Sequence, residues 1–338
     1  MRGSVLRGGR MLYRDDIPEP VPGPGQVLVA VKACGICGSD LHFASHGAEM
    51  LDAMADIEGL PSMSGELSLD HDVYMGHEFC AEILDAGPGT EAPPAGTLVT
   101  SVPVLLSETG VEMLVYTNNA VAGYAEKMLL SAPLLLSVPN GLDAKHAALT
   151  EPMAVGLHAV NASRVERGHT ALVVGCGPIG IAIIAALRLR GVETIVASDF
   201  SPARRALAST MGAHVVVDPV DGSPFDSCTP SVIFEAVGAP GVIDDVLRRA
   251  PAGSQLVVAG VCMPPDTIHP LYAAAKQINV QFVFGYDPGE FAQTLHALAE
   301  GDIDVAPMIT GEVELTGLHQ AFAALADPEQ HCKILVTP

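Results

Sequence analysis

Cys37, His77, Glu78 and Glu151 are of the residue types that hold a transition metal. One thiolate, one imidazole and carboxylates make a mixed donor set suited to zinc with an open position. A structural site would instead close on four ligands, usually thiolates. Cys34 and Cys37 also form a C-x-x-C pair inside Cys34-Gly35-Ile36-Cys37-Gly38-Ser39-Asp40-Leu41-His42. Half a zinc knuckle or a redox pair would use that spacing, but a second C-x-x-C and a thioredoxin-like context are missing. Glu151 stands at an expected helix start, with Thr150 as N-cap and Pro152 in the first turn, so it could equally serve as a capping carboxylate. Asp70, His71 and Asp72 could also ligate a metal, although three adjacent polar residues in a loop are more often solvated.

A second chemistry is written at Ala171–Asp199. An apolar strand, Ala171–Val174, enters Gly175-Cys176-Gly177-Pro178-Ile179-Gly180, a G-x-G-x-x-G turn. A helix, Ile181–Arg190, follows and stops at Gly191; the next strand, Thr194–Ala197, leads to Asp199. Glycines here allow a tight turn and close approach of a pyrophosphate to the backbone, with the helix N-terminus facing the anion. Asp199 falls within the roughly 20-residue range of the carboxylate that grips an adenosine ribose. The pattern predicts dinucleotide binding.

The chain around these residues is globular in composition. It has 338 residues, 49% hydrophobic and 17% charged, which suggests two domains. A net charge of −22 repels phosphate backbones and anionic lipid, so no nucleic-acid or membrane partner is expected. No run of about 18 apolar residues suggests a membrane span, and the N-terminus lacks a signal-peptide core. Seven scattered cysteines fit reduced thiols in a cytoplasm.

Strand-like runs at Ser4–Leu6, Val27–Val31, Gly76–Ile83 and across 97–138 predict an antiparallel β domain ahead of the cofactor fold. After Asp199, strands and helices alternate: helix Ser201–Met211, strand His214–Val217, strand Val232–Ala236, helix Val242–Arg249, then strands Gln255–Val261 and Val280–Phe284. That alternation predicts a doubly wound parallel sheet. A mixed tail, with a helix at Glu290–Glu300 and a strand at Lys333–Val336, predicts that both chain ends build the catalytic domain. Between them, 43–75 is an odd segment: Met50, Leu51, Met54 and Ile57 have helical spacing, and a Ser/Gly/Met-rich loop follows. It reads as an ordinary surface excursion or as a wall over a substrate cleft.

Together these motifs resemble the zinc-dependent medium-chain alcohol dehydrogenases, in their polyol, sugar and threonine dehydrogenase-like branch. The resemblance rests on Cys34–His42, Gly76-His77-Glu78, Glu151-Pro152 and Gly175–Gly180, in that order, and covers nearly the whole chain. It implies an α/β architecture: a GroES-like β catalytic domain, residues 1–150 completed by about 288–338, and a Rossmann NAD-binding domain, 151–287. It further implies Cys37 and His77 as firm zinc ligands, with Glu78 and Glu151 ligating directly or through water. Cys34 matches a non-ligand position. Ser39 and His42 match a proton relay that carries the alcohol proton to solvent before hydride passes to NAD. Gly175, Gly177, Pro178, Ile179 and Gly180 would hold the pyrophosphate, and Asp199 the ribose with Arg204 as its cationic neighbour. Lys333 matches a position where some relatives place a basic residue near the pyrophosphate, although a surface lysine is the plainer expectation.

The chain departs from the family in two places. Residues 88–120 lack the four cysteines of a structural zinc, so one catalytic zinc per chain is expected. The 43–75 segment lengthens the Cys37–His77 spacing and leaves the alcohol or ketone substrate open among diols, polyols, primary and aromatic alcohols and β-hydroxy amino acids. A homodimer or homotetramer is expected, and Gln281–Phe284 reads equally as an edge strand paired across a dimer or as the last strand of the sheet. Two other classes share part of the pattern. A zinc-free quinone reductase would have no use for the four metal-type residues, and a non-catalytic NAD-sensing protein would have none for Ser39 and His42.

Overall fold

The computed structural model describes residues 1–58, 67–108 and 110–338. One sheet follows the order Leu135–Ser137, Leu98–Ser101, Glu78–Ala86, Gln26–Gly35, Lys333–Val336 and Ile309–Val313, with Lys127–Ser131 also paired to Gln26–Gly35. Its pairs are antiparallel except the last. Side chains two apart share a face of a strand. Accordingly Val27, Val29 and Val31 point into one buried apolar cluster, with Ile83, Met128 and Leu130 from the neighbouring strands. The C-terminal strand Lys333–Val336 lies directly against Gln26–Gly35, so the chain's end completes a sheet begun near its start.

A second large sheet, apart from three two-stranded pairs, has six parallel strands in the order Val215–Val217, Thr194–Ser198, Thr170–Val174, Val232–Glu235, Gln255–Val258 and Asn279–Phe282. Its central strands are apolar on both sides. Ala171 and Val173 face one cluster with Ile181 and Ile184, while Leu172 faces another with Val246 and Leu247. Strand order reverses between Thr170–Val174 and Val232–Glu235, which opens a crevice at their C-terminal ends. The last two strands need a crossover, and helix Pro270–Lys276 supplies it. That helix was not foreseen: seven residues behind a Pro-rich lead-in are too few to show a helical period.

Helix Gly38–Ala55 begins within the Cys34–His42 run and is kinked at His46. It takes in Met50, Leu51 and Met54, of which Met50 and Leu51 pack against the first sheet's core; Ile57 lies beyond its end and is exposed. Residues 59–66 of the expected loop lie outside the described residues. Asp72 forms ion pairs with Arg7 and Arg14, at 3.2 and 2.6 Å, while Asp70 and His71 are exposed; the three are not drawn together. No described helix is long and apolar enough to cross a membrane.

The Thr150 cap is corrected. Helix Ala144–Ala148, capped by Asp143, runs straight into helix Thr150–Ala162, and the Thr150 hydroxyl donates to the Ala147 carbonyl at 2.7 Å. Helix Thr150–Ala162 then packs on helix Pro178–Leu189 through Gly156, where a Cβ would lie 2.4 Å from the Ala182 carbonyl carbon. Alanine is the better helix former by about 1 kcal/mol, but overpacking costs about 1–3 kcal/mol. The clash here is with backbone, so it should dominate. Gly156→Ala is expected to lower the urea midpoint, and an unchanged or higher midpoint would show that the two helices part freely.

Candidate active site

Register assembles the metal-type residues. Strand Gln26–Gly35 ends where strand Glu78–Ala86 begins, with Glu78 opposite Gly35 and Phe79 opposite Cys34. Cys37 lies two residues past the first strand and His77 one residue before the second. A turn at Gly76, φ +98°, precedes His77. One ligand atom from each of Cys37, His77 and Glu78 lies within 4.8 Å of the others. His77 and Glu78 are buried and Cys37 is half-buried, open toward the cleft. Cys34 is fully buried, and burial pushes its thiol pKa well up, so it is an inert packing residue.

Behind this group stands Asp40, which sequence alone did not single out. Its Oδ2 accepts from the Tyr124 hydroxyl at 2.5 Å and from the Cys37 amide at 3.1 Å. Its Oδ1 faces His77 Nδ1 at 3.5 Å, too long for a hydrogen bond, and both atoms are buried without a partner among the described residues. Burial pushes the Asp40 carboxyl up, with His77 and Tyr124 opposing. Burial would lower the His77 pKa, but Asp40 and then Cys37 outweigh it and hold the imidazole well above its ordinary value. A signal existed in the sequence: Cys37 and Asp40 have capping-box spacing at the start of helix Gly38–Ala55.

Lys333 is corrected from a surface residue to a fully buried one. Its ammonium donates to Glu78 Oε1 at 2.7 Å, to Oε2 at 2.8 Å and to the Ile36 carbonyl at 3.0 Å. Burial would depress its pKa; Glu78, then Cys37, outweigh it and raise the pKa instead. Glu151 stands outside the 4.8 Å group, half-buried in the first turn of helix Thr150–Ala162. Burial pushes its carboxyl up to about 7, with His77 the main opposition. Ser39 is half-buried and His42 exposed, three residues apart on one helix face. A second group of metal-type donors, His158, Asp287 and Glu290, is occupied internally, since Glu290 accepts from His158 and Asn161 at 2.8 Å each.

The dinucleotide motif lies in the crevice of the parallel sheet. Gly175 has φ +91°, and a Cβ on Gly180 would lie 1.9 Å from the Gly175 carbonyl oxygen, so turn and helix close only with glycine at both. Gly177, Pro178 and Ile179 open helix Pro178–Leu189, whose free amides point into the crevice. Asp199 ends the neighbouring strand; its Oδ2 accepts from the Cys176 amide at 2.7 Å and its Oδ1 from the Ser201 amide at 2.8 Å. Arg204 lies 3.9 Å from Asp199, and its Nε is buried without a partner among the described residues.

The "Alcohol dehydrogenase GroES-like domain" family matches residues 23–140 and the "Zinc-binding dehydrogenase" family residues 178–300. The chain is 31% identical to (R,R)-butanediol dehydrogenase of Bacillus subtilis over the whole of both chains. It is 26% identical to human sorbitol dehydrogenase, covering 94% of this chain and 90% of that one. The crystal structure of Bacillus subtilis 2R,3R-butanediol dehydrogenase superposes with a TM-score of 0.84 at 28% identity, covering 100% of this chain and 99% of that one. Fold and site thus define a zinc-dependent oxidoreductase with a GroES-like part and a Rossmann sheet. The chain belongs to the zinc-binding medium-chain alcohol dehydrogenase family, alongside its butanediol and sorbitol dehydrogenases.

Removing one partner of a buried ion pair leaves an uncompensated charge and costs about 3–5 kcal/mol. Lys333→Met should therefore destabilise the protein by that order in urea unfolding. Adding Glu78→Gln in the same chain should restore much of the loss, since neither charge then remains buried. A single variant as stable as the parent would show that Glu78 finds another partner.

Proposed function

We propose that this chain oxidises secondary alcohols, vicinal diols and polyols foremost, to ketones with NAD, and catalyses the reverse reduction. The observation that carries the proposal is the convergence of Cys37, His77 and Glu78 on one point, backed by the unpartnered His77 Nδ1 and Asp40 Oδ1. A proton shared between Nδ1 and Asp40 would select the tautomer that offers Nε2 to a metal. The named activities of the butanediol and sorbitol dehydrogenase relatives support the substrate class.

Cys37 and His77 would hold zinc, with Glu78 and Glu151 assisting directly or through water. Bound zinc supplies Lewis acidity that lowers the pKa of the substrate hydroxyl, and bound NAD supplies the hydride acceptor. Ser39 takes the hydroxyl proton and passes it toward His42 at the solvent edge. Asp40, itself bonded by the Tyr124 hydroxyl, faces the imidazole from behind. Gly175, Gly177, Pro178, Ile179 and Gly180 seat the cofactor phosphates, and Asp199, with Arg204 beside it, seats the ribose. We place the working division at 1–150 with about 288–338 for the catalytic part and 151–287 for the cofactor part, in a cytoplasmic enzyme. The edge strand Asn279–Phe282, with exposed Phe282 and Phe284 beside it, would join copies into a homodimer or homotetramer.

Elemental analysis is expected to find one zinc per chain, because 88–120 has no cysteines for a second. Two tightly held zincs, or none, would contradict this; none would favour the zinc-free quinone reductase class. Cys37→Ala should abolish alcohol oxidation while leaving the unfolding midpoint near that of the parent, since Cys37 is not part of the apolar core.

NAD is expected to be preferred over NADP. A 2′-phosphate would meet the Asp199 carboxylate, and like charges at close range in a partly desolvated site repel. Arg204, 3.9 Å away, weakens that repulsion without removing it. The ratio of kcat/KM for the two cofactors checks this, and Asp199→Ala should narrow it. A ratio that favours NADP, or one unmoved by the substitution, would take Asp199 out of ribose recognition.

A further inference from the structure

Strand Val232–Glu235 lies at the switch point of the parallel sheet and ends on a carboxylate. Glu235 is 1% exposed, and its neighbours on the strand are apolar. Its Oε1 accepts from the Val237 and Gly238 amides, at 2.8 Å each. Its Oε2 rests against the next strand's loop, 2.7 Å from where a Cβ on Gly260 would stand. Its backbone carbonyl receives the Ala259 and Gly260 amides, at 2.8 and 2.9 Å. No cation among the described residues pairs with it; burial pushes its pKa up, and only backbone amides oppose. Buried charges are ordinarily paired with an opposite charge, and this one lacks a partner within the chain.

The crevice above it narrows what that partner is. The glycine-rich turn follows strand Thr170–Val174, and Asp199, on the ribose side, follows the strand on one flank of it. A dinucleotide lies across the switch point, so its other half covers the opposite flank, strands Val232–Glu235 and Gln255–Val258. The loop after Glu235 touches the turn: a Cβ on Gly175 would lie 2.7 Å from Val237 Cγ2 and 3.0 Å from the Ala236 carbonyl carbon. Loops 236–241 and 259–265 carry no charged residue. Val237 and Val261, 47% and 53% exposed, give these loops apolar surface. Glu235 is therefore the one charge that these two strands and their loops bring to that half of the crevice.

We infer that Glu235 is a specificity-determining residue for the redox state of the cofactor, its buried carboxylate favouring the oxidised form over the reduced. The inference rests on the proposed seat for NAD. The nicotinamide ring is a cation in NAD and is neutral once it has taken up hydride. A fixed negative charge under that half attracts the first ring and is indifferent to the second. Buried among apolar neighbours, the carboxylate is screened little by water or salt. NAD is held for the oxidation, and NADH, its product, leaves more readily.

Glu235→Gln removes the charge and keeps an oxygen for the Val237 and Gly238 amides. Titration calorimetry on the whole enzyme, without substrate, gives dissociation constants for NAD, NADH and ADP-ribose, which lacks the nicotinamide. The substitution should weaken NAD about ten-fold, the order of one unit-charge interaction at a protein's effective dielectric. NADH and ADP-ribose should bind as before, so the ratio of the NAD to the NADH constant rises by as much. Glu235→Asp keeps the charge and shortens its reach. Its ratio should stay near the parent's even where the loop loosens and all three ligands weaken. NAD and NADH weakened alike by Glu235→Gln overturn the inference and leave Glu235 a brace for its loop. So does a ratio that does not move, or one that Glu235→Asp moves as far as Glu235→Gln does. A parent that binds neither NAD nor NADH overturns the proposed cofactor seat beneath it as well.

Discussion

The buried ion pair between Glu78 and Lys333 is the constraint around which the site is built. Both side chains are out of contact with solvent, and taking two charges from water carries a desolvation cost that only close geometry offsets. Here the geometry is close: both carboxylate oxygens receive the ammonium, and its third proton goes to the Ile36 carbonyl. That third bond matters for position, because Ile36 immediately precedes Cys37. One ammonium therefore fixes the Glu78 carboxylate and the backbone next to the thiol together. The metal-type residues of the first third of the chain are in this way held by the last six residues.

Around that pair the polar groups form a connected set. Asp40 links the Cys37 amide, the Tyr124 hydroxyl and, across 3.5 Å, the His77 ring. Asp40, Tyr124 and His77 are buried, and in low-dielectric surroundings such a network is rigid when satisfied and costly when it is not. Among the described residues, His77 Nδ1 and Asp40 Oδ1 are left without a hydrogen-bond partner beside this network. A site meant only to support the fold would have closed these pairs.

The cofactor side uses its carboxylate differently. Asp199 receives two backbone amides, one from the glycine-rich turn and one from the start of helix Pro202–Met211. It therefore braces the glycine-rich turn against the neighbouring strand. Each carboxylate oxygen has a second lone pair, so bracing leaves both free to accept a further hydrogen bond. Arg205, not Arg204, makes the firm local contacts, donating to the Asp199 and Phe200 carbonyls and pairing with Asp218. Arg204 is left with a buried, unpaired Nε beside the carboxylate.

What the sequence by itself determined was whatever repeats or signals within a short window. The parallel sheet follows from apolar strands alternating with helices, and the phosphate turn from glycine spacing before a helix start. The order of Cys37, His77, Glu78 and Glu151 was visible as chemistry, though nothing local says that Glu151 stands apart while the other three meet. Tertiary structure alone decided the rest, because those contacts join residues far apart in the chain. Lys333 and Glu78 are 255 positions apart, and no periodicity in either strand reveals that one ends beside the other. Asp40 looked like a motif residue until strand register turned His77 toward it. Tyr116 sits on a two-residue strand in a turn-rich stretch, and only the tertiary fold stacks its ring on Phe43. Local propensity sets which elements form; which side chains meet at their ends is set by sheet order, register and the packing of distant segments.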